Sequence, residues 1–357
     1  MGAARGIDWG TAQRVGELIA GSPTTGAVGA GSAQGLAHDF ARRVGDYTGL
    51  ELPDELPPLE MVDRSAWIAA NLRTMRPLLD PLAQRLTGEE SEGGRREGGL
   101  LGGPLRAAPG HLLGVQLGAM TGLLSQRVLG QYDVSLLDSH AAPRLLLLAP
   151  NLAGAARNLE VDRDELVAWV AIHEITHAVQ FSGAPWLREH LGGMLRELLE
   201  GVQTGLKLSD LNLSLGLGDT RVLIERARRG ELLRIGLGED RWEIVQRMQA
   251  TMSLIEGHAE HTMDAVGADV LASLPRLRAA LRRRRESRGL PWRVLERVLG
   301  LELKMRQYEV GRRFCDAVVR AGGPELLALA WRSPLELPSS EELETPERWI
   351  ARMRIAA

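Results

Sequence analysis

The stretch Asp162–Phe181 constrains this chain more than any other, because it sets two histidines and a glutamate inside an apolar helical pattern. His173, Glu174 and His177 form the sequence H-E-x-x-H. Residues four apart lie one turn apart on one face of an α-helix, so both imidazoles can reach the same metal ion. Burying these polar groups without a partner would be costly. The motif therefore predicts a metal site on a mostly buried helix, and the alternative is a pair of hydrogen-bonded core histidines.

The residues around the motif predict both ends of this helix. Asp162 and Glu165 have the spacing of a capping box at the start. Ser182–Pro185 supplies a glycine and then a proline, so the helix should end near Phe181.

Two histidines do not complete a catalytic zinc site, which normally has three protein ligands and a fourth position for water. A longer motif that continues with glycine and a third histidine is excluded, because Gln180 and Gly183 stand at those positions. The third ligand should therefore come from a second helix, for which Thr251–Gly267 is the best candidate.

An acidic row runs along this second helix. Glu256, Glu260 and Asp264 are spaced by four on one face of a segment that is otherwise largely apolar. We favour Glu256 as the third ligand, because the neighbouring Gly257 would allow close approach to the metal helix. Glu260 or Asp264 would then accept the second N–H of a zinc-binding histidine.

Several alternatives remain open from the residues alone. His258 and His261 compete with Glu256 for the ligand role, and a solvated acidic face is the remaining reading of the row. His261 and Tyr308 are also our candidates for stabilising negative charge on a substrate oxygen. For Tyr308, a structural hydroxyl is the alternative.

The rest of the chain predicts a mainly α protein with a small β element. Of the 357 residues, 44% are hydrophobic but only 4% aromatic, which favours helices packed through aliphatic side chains. Arg144–Ala149 predicts a short buried strand that either pairs with an extended substrate or is plain core. Leu112–Leu129 has glycine at every fourth position, which predicts close approach of another helix, and its polar residues argue against a membrane span.

Composition changes along the chain predict its division. Residues 1–87 should form an N-terminal helical part, 88–110 a flexible loop rich in glycine and charge, and 111–357 the part with the metal helix. The alternative is that 1–87 and 111–357 form one continuous body.

Charge and composition argue against several functions. The net charge of −3 gives no general attraction to nucleic acid or to an anionic membrane. The single cysteine, Cys315, excludes an intramolecular disulfide and a cysteine-rich zinc site. No P-loop occurs, so a nucleotide-dependent enzyme has little support. No apolar run of signal-peptide length begins the chain, so we expect a cytoplasmic protein.

Three blocks of the sequence resemble one bacterial family. They are HEITHAVQF followed by PWL, SLIEGHAEHTMDAVG at Ser253–Gly267, and KMRQYEVGRRF at Lys304–Phe314. These blocks are similar to a family of zincin-like hydrolases, whose actinobacterial members are often labelled as associated with deazaflavin-cofactor biosynthesis. H-E-x-x-H alone is shared by many peptidases, whereas the combination of three blocks is more specific.

The resemblance implies a zincin-like core, in which the H-E-x-x-H helix and a second helix hold zinc on His173, His177 and Glu256. Many zincins with a glutamate ligand have aspartate four residues later, where this chain has Glu260. We predict a zinc-dependent hydrolase, most simply a metallopeptidase acting on peptide or amide bonds, with Glu174 as general base. The alternative is a non-catalytic zincin-like protein, with structural zinc or a role in binding a partner's peptide.

Overall fold

The computed structural model describes residues 6–21, 33–92, 109–138, 141–201, 239–286 and 301–356. Most of the predicted glycine-rich loop, residues 93–108, lies outside these ranges. Tyr308 belongs to a described helix, but its side chain is outside the description.

Helices make up most of the described residues, which confirms the predicted mainly α fold. They are α1 (Trp9–Ala20), α2 (Ala33–Thr48), α3 (Arg64–Glu92), α4 (Pro109–Ser125), α5 (Ala149–Leu159), α6 (Arg163–Gly183), α7 (Trp186–Gly201), α8 (Glu239–Val270), α9 (Leu274–Glu286), α10 (Leu301–Ala328), α11 (Ser340–Glu344) and α12 (Pro346–Ala356). A 3-10 turn, Leu329–Trp331, follows α10.

The small β element is a three-stranded sheet of β1 (Leu59–Val62), β2 (Gly130–Asp133) and β3 (Arg144–Leu148), in the order β1-β3-β2. β3 pairs parallel with β1 and antiparallel with β2. β3 is the predicted strand, and its four leucines are fully buried. Its suggested pairing with a substrate was wrong, because a strand with neighbours on both sides has no backbone groups left for a third.

The glycines of α4 lie against α1, as their spacing predicted. A Cβ atom at Gly122 would lie 2.6 Å from the carbonyl oxygen of Gly16, and Cβ atoms at Gly118 and Gly114 would overlap the carbonyl oxygens of Ala12 in α1 and of Asp8, which precedes it. Only glycine allows two helices to approach in this way. Within the described ranges, no helix is long and apolar enough to cross a membrane.

The chain divides into two compact units. The first contains Met1–Tyr47, Leu52–Val179 and Thr262–Gly289, and the second contains Thr48–Glu51, Gln180–His261 and Leu290–Ala357. The sheet and the α1–α4 contact belong to the first unit, whose buried core includes Ile68 and Leu146. In the second unit Phe314 of α10 packs edge-on against Trp349 of α12, with ring centroids 5.4 Å apart. The division predicted at residues 88–110 stays a prediction.

Candidate metal centre

The helix that carries the H-E-x-x-H motif is α6. The backbone N–H of Glu165 donates to Oδ1 of Asp162 over 2.9 Å, so Asp162 caps the helix as predicted. The Glu165 carboxylate instead accepts the hydroxyl of Ser273, so the other half of the capping box is not used in the expected way. α6 ends at Gly183, two residues after the predicted end at Phe181. The motif thus lies in the middle of a helix whose apolar residues are buried.

The two motif histidines face each other across one helical turn. Their Nε2 atoms are 3.1 Å apart, and the rings are nearly perpendicular, at 87°. Two nitrogens that bind one tetrahedral zinc ion at about 2.0–2.1 Å lie about 3.3 Å from each other. The spacing of His173 and His177 therefore suits a shared zinc ion.

A third group of the same kind lies close to this pair. Ligand atoms of His173, His177 and Glu256 all lie within 4.8 Å of one another. Two imidazoles and one carboxylate are also the donor set of many catalytic zinc sites. In both donor type and spacing, the three residues fit zinc.

Glu174 is buried, with 6% of its surface exposed, and a strand holds its carboxylate. Its Oε2 accepts the backbone N–H of Tyr132 in β2 over 2.7 Å. The Leu148 N–H donates to the Leu129 carbonyl. In an antiparallel pair, residues that bond to the partner strand alternate with residues that do not, so Gln131 bonds to β3 whereas its two neighbours do not. Gly130 and Tyr132 therefore turn their backbone groups away from β3, towards the outer edge of the sheet. That edge holds the Glu174 carboxylate.

Gly130 makes this contact sterically possible. A Cβ atom at Gly130 would lie 2.7 Å from Glu174 Oε1, and 2.8 Å from both Glu174 Cγ and Val170 Cγ1. Any side chain would push the carboxylate away from β2. Sequence reasoning missed Gly130 and Tyr132, because β2 has only four residues, all half-buried, and no motif marks it.

His258, the first competitor for the ligand role, is buried and engaged by Gln180. Its Nδ1 lies 2.8 Å from Gln180 Nε2. Its ring packs edge-on against Trp331, with centroids 4.9 Å apart. Both contacts are those of a core histidine.

His261, the second competitor, is paired with Asp316 of α10. Its Nδ1 lies 2.6 Å from Asp316 Oδ1. Burial raises the pKa of Asp316, but the bond from His261 and the charges of Arg312 and Arg320 outweigh burial and hold that pKa below its usual value. The oxyanion role suggested for His261 stays a prediction, as does that of Tyr308.

Both acidic residues that follow Glu256 in the row are buried. Glu260 is 5% exposed and Asp264 is 6% exposed. Asp264 accepts the Nε–H of Arg278 in α9 over 2.6 Å, so a cation compensates its charge. Their predicted role behind the zinc ligands stays a prediction.

Gly257 does not serve the purpose that its sequence position suggested. A Cβ atom there would overlap the backbone of Gly311 and Arg312 in α10. One at Gly311 would overlap the carbonyl of Ser253 in α8. Gly257 therefore allows α8 to pack closely on α10, and the expectation that it faces the metal helix was wrong.

Comparisons with known proteins identify the family that this chain resembles. The model of a family described as zincin-like metallopeptidase matches residues 7–350. A crystal structure described as that of "a putative hydrolase with a novel fold" from Chloroflexus aurantiacus is similar, with a TM-score of 0.67 and 29% sequence identity. The similarity covers 98% of this chain and 99% of that one. No curated protein matches this sequence.

Proposed function

This chain belongs to the family of zincin-like metallopeptidases, and from that premise we propose that it hydrolyses peptide or amide bonds with zinc held by His173, His177 and Glu256. The observation that carries the proposal is the gathering of three ligand atoms within 4.8 Å on the H-E-x-x-H helix and α8. Next to the two histidines in sequence stands Glu174, a buried carboxylate with a fixed orientation.

Zinc, when bound, supplies a Lewis acid that polarises the substrate carbonyl and makes water easier to deprotonate. Glu174 takes the proton from the attacking water and later gives it to the leaving amine. The Tyr132 N–H holds one carboxylate oxygen, and Gly130 leaves room for the other. Because this orientation exists before a substrate arrives, the base is not displaced by rotation when the reaction begins.

The position of β2 supports an extended peptide as the substrate. In the described sheet β2 is an edge strand, and Gly130 and Tyr132 direct backbone groups to that edge. The Tyr132 N–H already donates to Glu174, so a peptide would pair with the backbone groups of Gly130. An extended peptide can bind by adding a strand to such an edge, since its own N–H and C=O groups then replace water. The bound peptide would thereby present its amide bonds close to Glu174.

The alternative of a structural zinc ion has less support. Structural zinc sites use four protein ligands and have no need of a general base. Here a strand edge and a glycine are both committed to holding Glu174. Such an arrangement has a purpose in hydrolysis but none in structural metal binding.

Zinc content and one conservative substitution test the proposal together. By mass spectrometry, the purified wild-type protein should carry about one zinc ion per chain, and His173→Ala should carry essentially none. A peptide library screen then supplies a substrate. Glu174→Gln removes the base but keeps its size, so it should retain zinc and lose about 10²–10⁴-fold in kcat. Turnover by Glu174→Gln equal to that of the wild type, or full zinc occupancy in His173→Ala, would refute the proposal.

A further inference from the structure

Gln180 is a buried polar residue that the proposed chemistry leaves without a role. It stands three residues after His177 on α6, and none of its surface is exposed. Its Nε2 donates to the carbonyl oxygen of Ile255 over 2.9 Å and lies 2.8 Å from Nδ1 of His258. One side-chain amide thus bonds to two residues of α8.

The chemistry of these partners fixes the orientation of the amide. A carbonyl oxygen can only accept, so the Gln180 atom that faces Ile255 must be the nitrogen. The same nitrogen then donates its second hydrogen to His258, so Nδ1 of His258 must accept. His258 is therefore neutral and carries its proton on Nε2. The bond to the Ile255 carbonyl cannot be made with the amide reversed, and it is this bond that sets the direction of the one to His258.

The two partners flank Glu256 in sequence. Ile255 precedes it and His258 follows it by two residues, within a single turn of α8. Because helix backbone moves as a unit, the bond to the backbone carbonyl of Ile255 fixes the rotation and height of the turn that carries Glu256, whereas the bond to the His258 side chain constrains the backbone less. We propose that Gln180 is a positioning residue, which holds the Glu256 carboxylate at the distance that a zinc ion on His173 and His177 requires. This inference rests on the proposed function.

A simpler role for Gln180 would be to satisfy His258, whose ring is buried against Trp331. The two roles predict different behaviour when His258 is also changed. If Gln180 only satisfies a buried imidazole, removing that imidazole makes Gln180 dispensable. If Gln180 positions Glu256 through the Ile255 carbonyl, removing the imidazole changes little.

The experiment compares Gln180→Met, His258→Phe and the double variant with the wild type in the full-length protein. Methionine has nearly the volume of glutamine but no donor, and phenylalanine keeps a ring against Trp331. Zinc affinity is measured by competition with a chromophoric chelator. The visible absorption of the cobalt-substituted proteins reports the geometry around the metal, which a loss of stability alone would not change.

We expect Gln180→Met and the double variant to lose zinc affinity about 10–100-fold, as for other residues that orient a metal ligand. Both should have an altered cobalt spectrum, whereas His258→Phe should stay close to the wild type. Wild-type affinity in Gln180→Met, recovery in the double variant, or an equal loss in His258→Phe alone would overturn the inference. If Gln180→Met does not fold, the double variant decides, because it leaves no buried imidazole unsatisfied.

Asn151 offers a matched control in the first unit. It is 5% exposed, and its Nδ2 donates to the carbonyl oxygens of Ser125 and Val128 over 2.7 and 2.6 Å. Asn151→Leu should lower stability but leave zinc affinity and the cobalt spectrum unchanged. A spectral change in Asn151→Leu like that in Gln180→Met would also overturn the inference, since any lost buried amide would then have the same effect.

Failure of this inference is distinguishable from failure of the proposed function. A wild-type protein that binds no zinc, or a His173→Ala protein that binds it normally, removes the metal centre itself. If the wild-type protein binds zinc through His173 and Gln180→Met has the same zinc affinity and cobalt spectrum, only the role of Gln180 is refuted.

Discussion

Among the contacts that the structure describes, those around Glu174 and those around Glu256, the two glutamates of the candidate site, are of different kinds. Glu174 is held directly, because a backbone N–H of β2 donates to its carboxylate and Gly130 leaves space beside it. For Glu256, the described contacts act on the helix around it. Gln180 bonds to Ile255 and His258, and Gly311 packs against Ser253 and Gly257 of the same helix.

The difference matches what each group has to do under the proposed function. A general base must keep its orientation while protons move, and a bond to the carboxylate itself secures this. A metal ligand is oriented by the ion once it binds, so the fold needs only to bring its helix to the right place. Substitutions at Gly130 and at Gly311 should therefore have separate consequences.

The largest expected difference is in zinc content when the two glutamates are changed in the same way. Substituting a residue that hydrogen-bonds to a metal ligand lowers affinity about 10–100-fold. Glu256→Gln should lower zinc affinity by more than this, because a neutral amide is a poor replacement for a carboxylate ligand. Glu174→Gln should keep wild-type affinity. Chelator competition on both proteins measures the contrast. Equal affinities would mean that Glu256 is not a ligand and that the comparison fails.

Gly130→Ala should impair the base and spare the metal. The new Cβ would lie 2.7 Å from Glu174 Oε1, so the carboxylate must move. We expect kcat on a substrate from the library screen to fall at least about tenfold. The fall should not exceed the contribution of a general base, which is about 10²–10⁴-fold. Zinc content should stay at the wild-type level. Unchanged kcat would show that the contact with β2 does not hold Glu174 for catalysis.

Gly311→Ala should act on folding. Its Cβ would overlap the Ser253 carbonyl, so α8 and α10 must separate, and we expect the free energy of unfolding to fall by about 1–3 kcal/mol. Gly154 of α5 is the matched control. Nothing lies within 4 Å of a Cβ there, so Gly154→Ala should stabilise by about 0.5–1 kcal/mol. Urea denaturation followed by circular dichroism compares them. A Gly311→Ala protein as stable as wild type would contradict the close α8–α10 contact.

The smallest expected effect is on the pH dependence of stability. It comes from Asp133 at the end of β2, the strand that holds Glu174. Burial raises the pKa of Asp133 above its ordinary value of 3.8, despite the hydrogen bond from Thr74 and the charge of Arg144. The folded protein then binds this proton more tightly than the unfolded chain. The stability that this tighter proton binding gives the fold is fully present below about pH 3.8, the pKa in the unfolded chain. It is lost as the pH rises through the pKa of Asp133 in the folded protein. Urea denaturation at a series of pH values measures the free energy of unfolding of the wild type and of Asp133→Asn. The wild type should become less stable relative to Asp133→Asn as the pH rises through this range. A difference between the two proteins that does not change with pH would exclude a raised pKa.

Local patterns in the sequence predicted much of the structure. The position of the H-E-x-x-H motif on α6, the buried strand β3, and the glycine contact of α4 with another helix all follow from residues a few positions apart. Spacing within one helix or strand fixes which side chains share a face, whatever the rest of the chain does. The mainly α fold followed for the same reason.

Contacts between distant segments could not be predicted in this way. Gly257 was expected to pack against α6 but packs against α10. A glycine in a sequence indicates that another helix can approach closely, but it does not indicate which helix. The sequence left open whether β3 pairs with a substrate or is plain core, because a strand's sequence does not indicate its place in the sheet. Gly130 and Tyr132 were missed, since they lie about forty residues before Glu174 in a strand without a motif.

The sequence by itself determined the functional groups of the candidate site, namely two imidazoles one turn apart with a carboxylate beside them and an acidic row on a later helix. Only the tertiary structure decided how those groups are held, through the edge of β2 at Glu174 and the amide of Gln180 at α8. The physical reason is that donor type and helical spacing are local properties. A hydrogen bond between residues forty or more positions apart exists only after the chain has folded and brought them together.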